Sequence, residues 1–319
     1  MWEGFFSQSS ELLQNELILF GIFAGIIILF LIFDLGVFNK ENKPVSLKHA
    51  FWLSVFWVVV SIAFGILVYF YVSPNHGYEF FLAYVVEKSL SIDNIFIFLV
   101  ILQFFNIEEK YYHKILFWGI LGAIFFRLLF LTLGLAVIDH FYWVLYIFGA
   151  ILVFTGIKLL KTNQNEIFNP AESYLYKFLL KHLRYTDSDG KGRFFVKENG
   201  KIVFTTLFLA LMLIEFTDIM FAIDSIPAVL AITQDPFVVY TSNIFAILGL
   251  RAMFFLLAGS IHHFPYIQQG LSFILIYIGI KMLLEIVDFY IPAEISLAIV
   301  LIVLSSSIIM SLVANKKAE

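Results

Sequence analysis

Long runs of apolar residues, separated by short polar segments, restrict most strongly how this chain can fold. A helix needs about 20 apolar residues to cross the hydrocarbon core of a bilayer. The runs predict nine spans, at residues 17–38, 48–72, 79–105, 115–138, 141–160, 205–232, 237–258, 267–287 and 293–314. Because a span must satisfy its own backbone hydrogen bonds, the predicted fold class is an all-α polytopic transmembrane helix bundle.

The composition excludes a soluble domain and several kinds of site. Of the 319 residues, 61% are hydrophobic and only 14% are charged, and the mean hydropathy is +0.93. Cysteine is absent, which excludes disulfides, thiolate metal ligands and cysteine nucleophiles. The net charge of −4 says little about partners, because in a membrane protein the position of the bases matters more.

The basic residues lie on one side of the predicted spans. Fifteen of the twenty Lys and Arg residues fall in or beside alternate connections and the C-terminal tail, and five lie inside spans. The other connections, 73–78, 139–140, 233–236 and 288–292, contain none. Bases mark cytoplasmic loops, so we expect an inner (cytoplasmic) membrane protein with its N-terminus outside and its C-terminus inside. The first run lacks a basic n-region and a small-residue cleavage site, so we expect a span rather than a signal peptide.

The long polar segment 161–204 is predicted to form a small cytoplasmic module. It opens with an amphipathic helix after Pro170. The apolar face of this helix comprises Tyr174, Leu175, Phe178, Leu179 and Leu183, and the basic face comprises Lys177, Lys181 and Arg184. Two interpretations are open: the helix lies on the membrane surface, or it packs on the protein itself. Farther along, Asn199 and Gly200 stand between two short apolar runs, which predicts a β-hairpin.

An internal repeat relates the two halves of the chain. Residues 87–94 read Glu-Lys-Ser-Leu-Ser-Ile-Asp-Asn and residues 218–225 read Asp-Ile-Met-Phe-Ala-Ile-Asp-Ser, an offset of 131 residues. The next two spans match at Arg127 with Arg251, and at Gly156-Ile157-Lys158 with Gly279-Ile280-Lys281, at offsets of 124 and 123.

Each repeating unit contains three spans, so the second unit must be inverted relative to the first. This architecture is typical of secondary transporters, whose substrate site lies near the midplane between the repeats. The predicted organisation is two spans (1–78), the first repeat (79–160), the module (161–204), the second repeat (205–287), and a last span with a basic tail (288–319).

Six acidic residues fall within the predicted spans, where each costs about 2.5–3.5 kcal/mol unless it is paired or hydrated. They are Asp34, Glu87, Asp93, Glu215, Asp218 and Asp224. The bases at similar depth are Lys88, Arg127 and Arg251, so full ionisation leaves six minus three, or three, negative charges. A divalent cation or protons would neutralise this excess. Alternatively, the acids only neutralise these bases and lock the helices together. For Asp34, near the end of its run, a place at the membrane interface is an equal alternative.

Hard oxygen donors dominate the predicted interior. All seven histidines lie in or beside predicted connections, and there are no thiols, so the ligands that zinc, copper and nickel favour are missing. Neutral oxygen ligands come from Asn94, Asn243, Ser89, Ser91 and Ser225. Together with the carboxylates they suit magnesium, calcium or manganese.

The acids in each repeat are six residues apart. On a regular helix this spacing places two side chains about 120° from each other, so we expect each helix to break between its acids. In the second repeat Pro227 cannot donate to the carbonyl of Ile223, which would be free to face a cation.

Two motifs in the repeats carry a family resemblance. They are residues 87–94 and the stretch Glu215-Phe-Thr-Asp218-Ile-Met-Phe-Ala-Ile-Asp224-Ser-Ile-Pro-Ala, followed by Ser242-Asn243 and Ile247-Leu-Gly-Leu-Arg251. The sequence resembles the TerC family of integral membrane proteins, including its Alx-type members, over nearly the whole chain. The layout is similar to that of the LysE-type superfamily of exporters. The acidic positions of the family fall on Glu87, Asp93, Asp218 and Asp224.

The resemblance implies a function. The TerC family is associated with tellurium resistance and, in Alx and other bacterial members, with manganese export and homeostasis. We therefore expect a secondary transporter, not an enzyme, that exports Mn²⁺, with exchange for protons left open, with lipid as its other partner and no organic cofactor or nucleic acid. The alternative is a membrane scaffold whose segment 161–204 binds cytoplasmic stress proteins. The residues alone restrict the cargo to a hard cation, and the choice of manganese rests on the resemblance.

Overall fold

The computed structural model describes residues 17–30, 47–161, 169–198, 200–258, 266–285 and 289–318. At Ile92, Asp93, Asp224 and residues 315–318 it describes the backbone. Of the residues singled out from the sequence, Asp34 and Asn199 lie outside the described residues.

The described chain is a bundle of α-helices with one small sheet. The helices are α1 (Leu17–Phe30), α2 (Leu47–Tyr71), α3 (Pro74–Phe104), α4 (Tyr112–His140), α5 (Val144–Lys161), α6 (Tyr174–His182), α7 (Thr206–Leu230), α8 (Pro236–Ile247), α9 (Leu250–Ala258), α10 (Ile267–Leu284) and α11 (Ala293–Ala318). Strands β1 (Phe195–Glu198) and β2 (Lys201–Phe204) pair antiparallel. The all-α polytopic fold class is confirmed.

Seven stretches of helix are long and apolar enough to cross a membrane. They are α2, α4 with the turn before it, α5, α7, α8 together with α9, α10, and most of α11. In addition, α1 is apolar but shorter over its described residues, and α3 is 31 residues long but carries several charged residues. The predicted count of nine spans stays a prediction.

Sequence signals fix where two buried helices begin. Ser73 accepts a hydrogen bond from the His76 amide at 3.2 Å, just before Pro74 opens α3. In the same way Asp235 accepts one from the Val238 amide at 2.9 Å, just before Pro236 opens α8. Proline suits the first turn of a helix because its missing N–H would have no partner there.

Helix α8 lies at the centre of the bundle. Its Phe237 and Phe245 are 2% and 0% exposed, and Phe245 packs on Phe64 of α2 with ring centroids 4.7 Å apart. Phe64 in turn contacts Phe80 of α3 at 5.6 Å. Ten of the twelve residues of α8 are buried, so this helix is surrounded by its neighbours on all sides.

Helices α5 and α10 cross at very short range. A Cβ atom at Gly156 would lie 2.8 Å from the carbonyl oxygen of Ser272, and one at Gly279 would lie 2.7 Å from that of Gly149. The helices are antiparallel here, since seven residues forward on α5, from 149 to 156, correspond to seven residues back on α10, from 279 to 272. The 123-residue offset of the repeat maps Gly149 to Ser272 and Gly156 to Gly279. Applying this offset to one contact, Gly156 with Ser272, therefore gives the other, Gly279 with Gly149. This exchange is what a two-fold relation between inverted units requires, and it supports the predicted repeat.

The expected helix breaks between the paired acids are wrong. Helix α3 is continuous through residues 87–93, and α7 is continuous through residues 218–224, with Pro227 inside it. Ala228, Val229 and Leu230 are at most 1% exposed, and this packing holds the last turn of α7 despite the missing donor.

The break lies instead between α8 and α9. Leu248 has φ −58° and ψ 130°, and Gly249 has φ +83°, a left-handed conformation that favours glycine. A Cβ atom at Gly249 would lie 2.8 Å from the Trp57 Cβ, so α2 also leaves no room for a side chain there.

The polar module contains the predicted hairpin and helix. Phe195 pairs with Phe204, and Glu198 pairs with Lys201, around Gly200 with φ +76°. In α6, Leu179 is 7% exposed and Tyr176 packs on Phe105 with ring centroids 5.8 Å apart. One side of α6 therefore packs on the protein, as the second of the two interpretations expects, while Tyr174 and Phe178 stay exposed.

Candidate functional site

A buried guanidinium links an acid of the first repeat to an acid of the second. Arg127 of α4 is 1% exposed, and its Nη1 makes an ion pair with Oε1 of Glu87 on α3, which is 0% exposed. Its Nη2 lies 3.7 Å from Oδ1 of Asp218 on α7. Asn94 of α3 donates through Nδ2 to the same Asp218 oxygen at 3.5 Å. Three helices and both repeats therefore meet at one point.

Glu215 lies beside this group. It precedes Asp218 by three residues on α7, a spacing that places both on one side of a helix, and the two carboxyls interact electrostatically. Its carboxylate lies against the backbone of Gly122 on α4, where a Cβ atom would overlap it. We call Glu87, Asn94, Arg127, Glu215 and Asp218 the carboxylate cluster.

Several oxygens in and near the cluster are buried without a hydrogen-bond partner. In the described part of the chain these include Glu87 Oε2, Asp218 Oδ2 and Glu215 Oε2, and also Ser225 Oγ and Asn243 Oδ1. A buried polar atom without a partner costs about 1–3 kcal/mol, and a charged one costs more. The cluster thus has three carboxyls and one guanidinium, with one oxygen of each carboxyl left without a hydrogen bond.

Of the four acids predicted from the family resemblance, the structure describes the side chains of Glu87 and Asp218 and the backbone of Asp93 and Asp224. Glu87 and Asp218 come together at Arg127. Asp93 and Asp224 each lie about 9 Å along the helix axis from the first acid of their own motif, and Asp93 adjoins Asn94, which contacts Asp218. Among the described side chains no three His, Asp or Glu residues are close enough to hold a metal ion. The cluster in this arrangement holds Arg127, which contacts two of its acids.

Lys88 was expected to be a charge partner of the acids, but it donates hydrogen bonds to backbone carbonyls. Its Nζ donates to the carbonyl oxygens of Ala246 and Leu248, each at 3.0 Å. These carbonyls belong to the end of α8 and to the break after it, where the helix leaves acceptors unsatisfied. A lysine of the first repeat therefore closes the helix break of the second.

The remaining predicted residues have other partners. Arg251 of α9 is 6% exposed and lies within electrostatic range of His113, whose ring packs on Phe255 at 4.4 Å. Asn243 donates to the carbonyl of Val239 at 3.0 Å. Ser91 donates to the carbonyl of Glu87 at 2.8 Å, and Ser89 to that of Val85 at 2.6 Å, so both hydroxyls can still accept.

One residue at the cluster was missed by the sequence analysis. Gly122 has no side chain, and this lets Glu215 approach α4. Nothing in the sequence around Gly122 distinguishes it from other glycines of membrane helices.

A second polar group lies at the end of the bundle where α3 and α8 begin. Thr233 donates to Glu79 Oε2 at 2.7 Å, and His76 Nε2 lies 3.7 Å from Asp235 Oδ2. Burial raises the pKa of Asp235, but the hydrogen bonds from His76 and from the Val238 amide outweigh burial, so this pKa lies below its usual value. These contacts tie α3 to the connection between α7 and α8.

Comparison with known proteins identifies the family. The model of the "Integral membrane protein TerC family" matches residues 72–319. The "Uncharacterized membrane protein STKORF319" of Myxococcus xanthus is 43% identical over 303 residues, covering 93% of this chain and 94% of the relative. The "Putative membrane-bound redox modulator Alx" of Escherichia coli is 40% identical over 312 residues, covering 95% and 96%. No solved structure matches the chain. The chain therefore belongs to the TerC family of integral membrane proteins.

Proposed function

We propose that this protein is a secondary transporter that exports a hard divalent cation, with Mn²⁺ as the expected cargo. The observation that carries the proposal is the buried meeting of Glu87 and Asp218, one from each repeat, beside Glu215. Inverted repeats typically hold the substrate near the midplane at their interface. Membership of the TerC family supports a transporter role, and the choice of manganese rests on the family resemblance.

The donor set fits a hard cation. Carboxylate, amide and hydroxyl oxygens are available from the cluster, from Asn243 and from Ser225. The five histidines that the structure describes, His49, His76, His113, His140 and His182, all lie at or near helix ends. With no cysteine in the chain, neither soft donor is offered at the cluster, so oxygen-preferring ions are favoured over zinc or copper.

In the proposed cycle, the Arg127 guanidinium has to leave the acids before the cargo can bind. The Glu87 and Asp218 oxygens that contact the guanidinium cannot bind the guanidinium and a divalent ion at the same time. Two cations that share the same carboxylate oxygens would lie so close together that they repel each other strongly in a buried site. In the proposed cycle the ion replaces the guanidinium, and Asp93 and Asp224 supply further oxygens. Carboxyls that release the ion can accept protons, so proton exchange belongs to the proposal.

The direct test is Mn²⁺ flux into vesicles containing the purified protein, read with a metal-sensitive dye. Glu87→Gln and Asp218→Asn keep the side-chain shapes and should each slow the flux at least about tenfold, which corresponds to roughly 1.4 kcal/mol. Glu198→Gln, an exposed acid on β1, is the matched control and should transport like the wild type. If both cluster variants transport at the wild-type rate, the transport site is elsewhere.

Two further arms of this assay address selectivity and coupling. Competition with Mg²⁺ and Ca²⁺ ranks the hard cations, and an imposed pH gradient should change the Mn²⁺ flux if protons are exchanged. If the wild type moves no divalent ion under any gradient, the scaffold role becomes the better account. Deleting residues 169–198 while keeping the spans would then be expected to abolish tellurium tolerance in cells.

A further inference from the structure

The β-hairpin carries an apolar face that is largely exposed in the described part of the protein. Phe195 is 61% exposed and Ile202 is 59% exposed. Phe195 pairs with Phe204, and Ile202 pairs with Lys197. Directly paired residues share a face of a sheet, as do residues two apart, so these four side chains lie on one face. The opposite face packs inward, since Val203 is 8% exposed.

This face continues the outer surface of a membrane-spanning helix. Strand β2 ends at Phe204 and α7 begins two residues later, at Thr206. The rings of Phe204 and Phe208 lie with centroids 4.4 Å apart, and Phe208 is only partly buried on α7. Because α7 is long and apolar enough to span the bilayer, its partly exposed apolar side chains face lipid. The apolar strip from Phe208 to Phe195 therefore runs from the lipid-facing side of α7 onto the hairpin.

Basic side chains surround the strip. Lys197 lies on the same face, opposite Ile202, and Arg193, Lys191 and Lys201 are exposed near the ends of the strands. Apolar side chains combined with Lys and Arg are typical of segments that lie in the interface of an anionic membrane.

The hairpin is held in a fixed orientation at its base. Lys114 of α4 donates to the carbonyl of Gly192 at 2.7 Å, and the Thr205 hydroxyl donates to the carbonyl of Arg193 at 2.7 Å. A Cβ atom at Gly192 would also lie 2.5 Å from the Tyr111 ring. The face is thus fixed relative to α4 and α7.

We propose that the hairpin is a membrane-surface anchor. Phe195 and Ile202 enter the headgroup region of the leaflet beside α7, and Arg193 and Lys197 bind the phosphates of anionic lipids. The occupant is the bilayer in which the protein itself is embedded. The proposal does not depend on the proposed transport, because it rests on the hairpin and α7 alone.

The absence of cysteine makes a site-specific test straightforward. A fluorescent label on Ile202→Cys, in the full chain reconstituted into vesicles, should be quenched by lipids brominated close to the glycerol backbone. The matched control is Lys201→Cys, since Lys201 is adjacent, exposed and on the other face of the same strand. That label should be quenched by aqueous iodide instead. Equal lipid quenching at both positions, or none at position 202, would overturn the proposal.

The charge contribution is tested by lipid composition. In vesicles containing phosphatidylglycerol, adding Lys197→Gln to the Ile202→Cys variant should lower the ratio of lipid-contacting to non-contacting label about fivefold. In pure phosphatidylcholine the same change should have little effect. Lys197→Gln without effect in phosphatidylglycerol would contradict the lipid-binding role of the bases. If the position-202 label is shielded only after soluble cytoplasmic proteins are added, the face is a protein-docking surface and the proposal is wrong.

Discussion

Arg127 joins the two repeats electrostatically. Its guanidinium is buried and contacts one acid from each repeat, on α3 and on α7. Removing one partner of a buried charge pair is strongly destabilising, because it leaves the other charge uncompensated. Arg127 is therefore a structural counter-charge in this arrangement, and its place could be taken by a cation from outside.

Replacing Arg127 by Gln should make the stability of the protein depend on divalent metal. Without metal, Arg127→Gln should lose about 3–5 kcal/mol of unfolding free energy, since Glu87 and Asp218 then lack their buried counter-charge. Saturating Mn²⁺ should restore part of this loss, because an ion that binds only the folded protein stabilises it. Thermal unfolding with and without Mn²⁺ measures both effects. Arg193→Gln, at an exposed arginine, is the control. A destabilised variant that ignores Mn²⁺ would argue that the acids only lock the helices together.

Replacing Gly122 by Ala should move Glu215 without unfolding the protein. The added Cβ would overlap the Glu215 carboxylate, the flexible end of a side chain that can shift. We therefore expect a change of melting temperature of only a few degrees, corresponding to about 1 kcal/mol, together with at least about fivefold slower Mn²⁺ flux. Gly119→Ala, three residues earlier on α4, meets only Ile214 at 3.3 Å and should leave the flux nearly unchanged. Equal flux in both variants would show that Glu215 is not part of the transport site.

At the scale of single elements, capping decides where α8 begins. Asp235 accepts a hydrogen bond from the Val238 amide and faces His76, and its pKa is lowered by these contacts against the opposing effect of burial. A carboxyl with a lowered folded-state pKa stabilises the protein above its unfolded pKa, here 3.8. The stabilisation is lost as the pH falls through the lower, folded-state pKa.

Asp235→Asn should flatten the acid side of the stability profile. We expect the melting temperature of the wild type to fall more steeply than that of the variant as the pH drops below about 4, because only the wild type loses a charged cap. At neutral pH the variant should be less stable by about 0.5–1 kcal/mol, since Asn caps helices well but carries no charge. Thermal unfolding across the acid range measures the difference. Parallel profiles would mean that other carboxyls control acid unfolding.

The elements differ in how far the sequence determines them. The hairpin was predictable because Gly200 supplies the positive φ that a tight turn needs, and the starts of α3 and α8 are marked by Ser73-Pro74 and Asp235-Pro236. The break at Gly249 was not predictable, since Leu248-Gly249-Leu250 reads as part of an ordinary apolar run. It depends on Trp57 of α2 and Lys88 of α3, which reach it only in the folded bundle.

The same division holds for the candidate site. The repeat predicted that Glu87 and Asp218 occupy equivalent places, and the structure brings both to Arg127. The direction of Lys88, toward carbonyls rather than acids, depends on the position of α8 and could not be deduced from its place beside Glu87. Six-residue spacing also suggested a helix break that does not exist, because packing of the final turn of α7 outweighs the effect of Pro227.

For the whole molecule, the crossing of α5 and α10 offers a test of the two-fold relation that the predicted inverted repeat implies. Gly156 and Gly279 occupy equivalent positions, and each approaches a carbonyl oxygen of the other helix. Backbone atoms cannot move aside as a flexible side chain can, so a methyl group at either position must separate the helices.

Gly156→Ala and Gly279→Ala should therefore destabilise the protein by similar amounts, about 1–3 kcal/mol each. Gly21→Ala, on α1, meets nothing within 4 Å and should be neutral or slightly stabilising, which makes it the control. Unfolding in denaturant measures the three values. Markedly unequal losses for the two equivalent glycines would contradict a two-fold relation at this crossing.

The contact of Lys88 with the α8–α9 break has a mechanical consequence. Its ammonium bridges α3 to the carbonyls of Ala246 and Leu248, directly beside Glu87. Any rearrangement that keeps these hydrogen bonds moves the middle of α3 and the end of α8 together, and Glu87 moves with them. Opening a route to the cluster then means that α7, with Asp218, or α4, with Arg127, shifts relative to this pair.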